Sequence, residues 1–172
     1  MPLIVGGAVA VALGVYGRVH DATHHTLFTL IFTDTIHMKV WLATLAVILA
    51  CVQVLTALRL YGRIKVPREA PAWLGDFHRL NGTLVFIVSL PVAFHCLWSL
   101  GFQSDTGQAR TFVHSVLGCL FYGAFAAKVV AVRSPRLPSW VLPVVGGVAF
   151  TVLVGIWLTS SLWFFNHVGT GL

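Results

Sequence analysis

His37, His95 and His114 fall inside or at the edge of long apolar runs. An imidazole buried in such a run is costly unless it finds a partner. The chemistry open to it is metal ligation, proton transfer or a hydrogen-bonded anchor. "RTFVHSVLG", from Arg110 to Gly118, poses the question most sharply. After Arg110 the stretch carries no charge up to Ala127, and His114 stands about one turn inside it.

The composition says what surrounds these rings. The 172 residues are 58% hydrophobic and only 9% charged, against about 25% charged in a soluble domain. Mean hydropathy is +0.89. These values describe an integral membrane protein. A net charge of +6 would suit nucleic acid, but the basic residues lie between apolar spans and read as topology signals.

A membrane helix needs about 20 mostly apolar residues. Five segments meet that length, the first marginally: roughly 3–19, 36–60, 80–102, 111–132 and 140–165. The fold expected is an all-α bundle of five transmembrane helices forming one domain over residues 1–172. Arg59, Arg63, Lys65, Arg68, Arg79, Lys128, Arg133 and Arg136 cluster at one end of the spans, and Arg18, Lys39 and Arg110 at the other. The positive-inside rule places the first group in the cytoplasm, with the N-terminus inside and the C-terminus outside. A bacterial cytoplasmic membrane is the expected location. Pro67, Pro71, Pro135 and Pro138 punctuate the cytoplasmic turns.

On this topology seven of the eight histidines gather toward the outer face, and only His78 is cytoplasmic. His95 lies roughly 10 Å below the outer end of its helix and His114 about 6 Å below the end of its own, at 1.5 Å per residue. His37 is at the first turn of the second span. Two imidazoles at one depth between helices suit haem b, whose apolar macrocycle fills a bundle core while its iron takes a nitrogen from each face. Such a group holds its ligand helices further apart than the 8–10 Å of direct packing. Diagonal helices are therefore favoured, which pairs His37 with His114 in a four-helix core built from spans two to five. His95 would line the pocket or serve as an alternative ligand. Lys39 and Arg110 lie at the same boundary, where cations compensate haem propionates.

Plainer readings stand beside these. Each histidine could instead donate to a backbone carbonyl, and Lys39 and Arg110 could anchor the interface. Cys51, Cys96 and Cys119 lack CxxC spacing and read as small apolar packing residues. His78, beside Asp76 and Arg79, reads as an interfacial residue. "HDATHH", with His20, His24 and His25, offers imidazoles and a carboxylate suited to copper or zinc. A haem-free metal-handling protein or a passive assembly subunit of a respiratory complex are the alternatives.

Three stretches carry a family resemblance. "IHMKVWLATLAVILACVQVLTALRLYGR" looks like the first haem-bearing helix of the cytochrome b561 family of membrane electron carriers. "FVHSVLGCLFYGAF" looks like that family's helix with a ligand histidine in an HSxxG setting. "FHRLNGTLVF" is similar to the helix between them. The likeness spans residues 36–165. It implies that His37 and His114 ligate an outer haem, and that His78 corresponds to a ligand of a second haem. The partner expected for His78 would lie in "PSWVLPVVGG", which has no histidine. The family commonly has six spans where five are counted here.

The function expected is one-electron transfer through a single haem b near the outer face, as a subunit of a redox complex. Its partner would be a quinol or an extracytoplasmic iron–sulfur, c-type haem or copper protein, with other membrane subunits. No nucleophile, paired carboxylate or phosphate loop points to bond-making catalysis.

Overall fold

The computed structural model describes residues 1–65, 69–102 and 108–169. Pro67 and Arg68, counted above among the turn and topology signals, fall outside them. Five helices are long and apolar enough to cross a membrane. They are α1 (Pro2–Val19), α2 (Thr35–Leu60), α3 (Leu74–Phe94), α4 (Ala109–Val132) and α5 (Val141–Trp157). α3 runs on through a π-helical turn, His95–Leu100, and α5 through another, Leu158–Leu162, into a last α-helical stretch, Trp163–His167. No strand occurs among the described residues.

α3 begins six residues earlier than hydropathy places it. Asp76 and Arg79 keep that stretch out of an apolar window, yet they pair with each other one turn apart on an exposed face. The opposite face packs on α2.

α2, α3, α4 and α5 form the central bundle, with α2 against α3, α4 against α5 and α5 against α2. α2 and α4 stand diagonally, as the sequence predicts. α1 packs outside this core, on α4. Its seam is made of small residues. A Cβ at Gly6 would lie 2.6 Å from the Gly123 carbonyl oxygen, and one at Gly123 would lie 2.5 Å from that of Gly6. Ala10 and Ala127 follow one turn later on each helix. Apolar side chains gain little by leaving lipid, so close backbone approach through small residues is what joins such helices.

Ala46, Ala50, Val85, Phe121, Leu153 and Ile156 form the packed core. Large apolar residues such as Ile48, Leu55, Ile87 and Val144 face outward, as lipid contact requires. The end bearing the N-termini of α2 and α4 holds most of the histidines and is called the histidine end below. The other is the basic end.

The segment between α1 and α2 is strapped across the histidine end of α3. The last carbonyls of a helix lack partners within it. Trp98 and Ser99 offer theirs to the backbone N–H groups of Thr23 and His24, at 3.1 and 3.0 Å. Gly101, at φ +71°, then turns the chain out of the helix, a conformation that favours glycine.

Candidate functional site

A cavity of about 480 Å³ occupies the histidine half of the central bundle, within the range of small-molecule and cofactor sites. Its wall follows helical spacing on each element. α2 contributes Ile36, Lys39, Val40, Ala43 and Ala46, and α3 contributes Ser89, Val92, Ala93 and Cys96. α4 supplies Arg110, His114, Gly118 and Tyr122, and α5 supplies Leu153, Ile156 and Ser160. Helix rise puts Lys39, Cys96 and His114 in one layer, about 6–8 Å from the ends of their helices.

Hydrogen bonds fix the frame around this space. The Tyr122 hydroxyl donates to Ser89, 3.0 Å to the carbonyl and 2.8 Å to the side-chain oxygen, and so ties α4 to α3. Trp157 Nε1 donates to Thr44 Oγ1 at 2.9 Å, and Ser161 Oγ donates to the Val40 carbonyl at 3.1 Å, tying α5 to α2.

His114 is held by α5. Its Nδ1 lies 3.1 Å from Thr159 Oγ1. That hydroxyl donates within its own helix, to the Gly155 and Ile156 carbonyls. The hydroxyl oxygen is therefore left to accept, and Nδ1 carries the proton. Nε2 then carries the lone pair, the state in which an imidazole accepts a hydrogen bond or ligates a metal. The ring interacts with the Cys96 thiol, which also meets Lys39. Three side chains from three helices thus converge on one wall of the cavity.

Arg110 stands at the rim. Its guanidinium donates to the Thr159 carbonyl at 2.6 Å and lies over the Trp163 ring at 4.0 Å. No carboxylate among the described residues pairs with Lys39; the ion pairs there are Asp34–His37 and Asp76–Arg79.

Of the residues expected at the site, Lys39, Arg110 and His114 are brought together. His37 is not on this wall. It lines a neighbouring pocket with His24, His25 and Asp34. Asp34 caps α2 by accepting the His37 backbone N–H at 2.9 Å, and its second oxygen meets His37 Nδ1 at 2.6 Å. These contacts hold the Asp34 carboxyl below its ordinary value, the backbone bond contributing most. The far side of the His37 ring packs edge-on to Phe164, which lines both cavities.

His95 is fully buried beneath the strap, edge-on to Phe28. Its Nδ1 lies 3.1 Å from Ser99 Oγ, which donates to the His25 carbonyl, and its Nε2 has no hydrogen-bond partner. It does not line the central cavity.

His78 is not the solvated interfacial residue its neighbours suggest. Both ring nitrogens are engaged by α2, Nδ1 with Thr56 Oγ1 and Nε2 with Gln53 Nε2, each at 2.8 Å. Asn81 donates to Gln53 Oε1 and to the Leu49 carbonyl, at 2.8 Å each. Neither nitrogen of His78 is left for a second haem.

Among the described residues no three His, Cys, Asp or Glu side chains gather closely enough to hold a metal ion. His20, from "HDATHH", stacks between Tyr16 and Trp98 instead. Sequence reasoning missed Cys96 and Thr159. The depth argument applied to the histidines would have found Cys96, which stands at the same level on α3. Nothing in the sequence marks Thr159.

A family model matches the chain over residues 1–172. The chain belongs to DUF6529, a family of unknown function. No curated protein and no solved structure matches this DUF6529 chain.

Proposed function

We propose that this DUF6529 protein is a membrane electron-transfer subunit that holds one haem b in the central cavity, with His114 as an iron ligand. The observation that carries the reading is the state of His114: Nδ1 is committed to Thr159, and the ring lies on the wall of a largely apolar space between separated helices. The residues suit the group. Val40, Ala43, Val92, Ala93, Gly118 and Ile156 give the apolar, small-residue wall that a macrocycle needs. Arg110 at the rim supplies a cation for a propionate, held in place by Trp163 and the Thr159 carbonyl. Lys39 puts a second positive charge deeper in the same space.

When bound, haem b supplies a one-electron couple between ferric and ferrous iron. The chain's own part is to orient the His114 ring, exclude water and balance charge. The resemblance to the cytochrome b561 family points the same way for His114. With its partners taking all of His78, the described residues of the basic half offer no second site, and on this reading electrons enter and leave at the histidine end. That end faces outward if the basic end is cytoplasmic.

The test is a reduced-minus-oxidised absorption spectrum of the detergent-purified chain from haem-replete cells, with a pyridine haemochrome count. A b-type spectrum at one haem per chain is expected, lost in His114→Ala. A chain without haem overturns the proposal.

A further inference from the structure

Resting on the haem reading, the source of the electrons is the next question. A second pocket, of about 510 Å³, opens at the histidine end beside the central cavity, within the range of small-molecule sites. Four parts of the chain meet there: the strap, the start of α2, the end of the π-helical turn after α3, and the end of the helical run that begins with α5.

Its lining is of two kinds. Ile36, Leu100, Phe164 and Val168 supply apolar surface, while His24, His25, Asp34 and His37 supply imidazoles and a carboxylate. His24 does so from a left-handed conformation, φ +54°, that a non-glycine residue rarely adopts. Among the described residues no lysine or arginine lines the pocket, so it offers no fixed cation to an anionic ligand. An uncharged ligand, part apolar and part hydrogen-bonding, suits it.

Asp34 and His37 give the pocket a proton acceptor. A carboxylate can only accept, so the 2.6 Å contact between Asp34 Oδ2 and His37 Nδ1 puts a proton on Nδ1. In the neutral ring Nε2 then carries the lone pair. A proton taken up there makes an imidazolium, and the carboxylate on its far side offsets that charge, as in other histidine–carboxylate pairs that act as general bases. The Asp34 side chain is 52% exposed, so water reaches the pair.

Phe164 joins this pocket to the central cavity. It lines both, and its ring stands edge-on to His37 with centroids 5.3 Å apart. A donor bound against His37 therefore shares a wall with the space proposed for haem.

We infer that this pocket binds the head group of a hydroquinone, with His37 accepting its hydroxyl proton and Asp34 balancing the charge. A hydroquinone is uncharged, apolar over its ring and hydroxylated at its edge, and it gives up its electrons together with its protons. Oxidising one to the quinone breaks two O–H bonds and releases two protons and two electrons. The protons leave one at a time through His37 to the aqueous face. The electrons go one at a time to ferric iron, which is reoxidised between the two by an extracytoplasmic one-electron carrier.

The experiment uses the full chain in lipid nanodiscs, with and without haem, under anaerobic conditions. A photoreactive azidoquinone, reduced to its hydroquinone, should label residues 24–26 or 164–168 by peptide mass mapping, and excess decylubiquinol should suppress that label. His37→Ala should weaken the competition about tenfold, the worth of one hydrogen bond to the ligand. Asp34→Asn should leave the competition near that of the parent and slow the reduction of haem by decylubiquinol about 100-fold or more. Both variants should keep the b-type spectrum, because neither residue lines the central cavity, and that spectrum reports the fold. Labelling elsewhere, a label that excess decylubiquinol leaves in place, or parental competition in His37→Ala overturns the inference and leaves the haem reading standing. Loss of the haem spectrum in His37→Ala also overturns it, since His37 would then hold the iron. A chain labelled at the pocket but carrying no haem overturns the haem reading and leaves the pocket assigned.

Discussion

The imidazole of His114 on α4 and the hydroxyl of Thr159 on α5 meet at 3.1 Å, and the hydroxyl spends its own proton inside α5. One side chain therefore sets the tautomer of another across a helix interface. Partners of this kind orient a ligating ring, and losing one typically lowers affinity about 10–100-fold. Thr159→Val should weaken haem binding to that extent, and Thr159→Ser should retain it. Haem titration into the apo-protein measures both. Equal affinity in the valine variant would remove Thr159 from the site.

The His78 network predicts a split between stability and cofactor content. His78→Ala strips the partner from the Gln53 amide nitrogen, while the Thr56 hydroxyl keeps the Val52 and Gln53 carbonyls. Leaving the amide unsatisfied costs about 1–3 kcal/mol. The unfolding midpoint in mixed detergent should fall accordingly, with haem content and spectrum unchanged. Loss of a haem in this variant would mean that the basic half binds one after all.

At Gly6 and Gly123 the seam between α1 and α4 has no room for a side chain. Gly6→Leu or Gly123→Leu drives carbon into a backbone carbonyl, which cannot move aside as a flexible side chain can. Overpacking costs roughly 1–3 kcal/mol even where neighbours adjust. Thermal unfolding in detergent should show both variants destabilised. Gly7→Leu faces open space and should unfold like the parent chain. Equal behaviour of Gly6→Leu and Gly7→Leu would count against the packing of α1 on α4.

Asp34 predicts an acid-sensitive helix start. Its carboxyl is held below the ordinary value of 3.8, first by the His37 backbone N–H. A depressed carboxyl stabilises the fold above its unfolded value, and that stability is lost as pH falls through the lower, folded value. Asp34→Ala should cost about 0.5–1 kcal/mol at neutral pH, the low end for an N-cap at an exposed position. Asp34→Asn keeps a capping side chain, so it should retain most of that stability while losing the acid dependence below pH 3.8. Unfolding midpoints measured between pH 3 and 7 decide it, and an unchanged acid dependence in the asparagine variant would exclude Asp34 as its source.

Much of the architecture is legible in one dimension because lipid imposes it. A span must be long, apolar and helical to satisfy its backbone, so the five helices and their approximate ends follow from hydropathy alone. Where that reasoning slipped, at the start of α3, the cause was local. Asp76 and Arg79 look like loop residues until their pairing on an exposed face is seen. Depth is legible too, since helix rise converts sequence distance into height, and it put His114, Lys39 and Arg110 near one layer.

What the sequence by itself determined is therefore which residues share a level in the membrane. Which of them share a wall is decided by rotation about each helix axis, and that depends on packing. Helix rotation turns Lys39 toward the cavity and leaves His37, two residues away, with Asp34. The strap over α3 seals His95 while Cys96, its neighbour, faces the open space. Each is a choice among faces of one helix, made by contacts with chain segments up to 121 residues away. No periodicity within a single span encodes it.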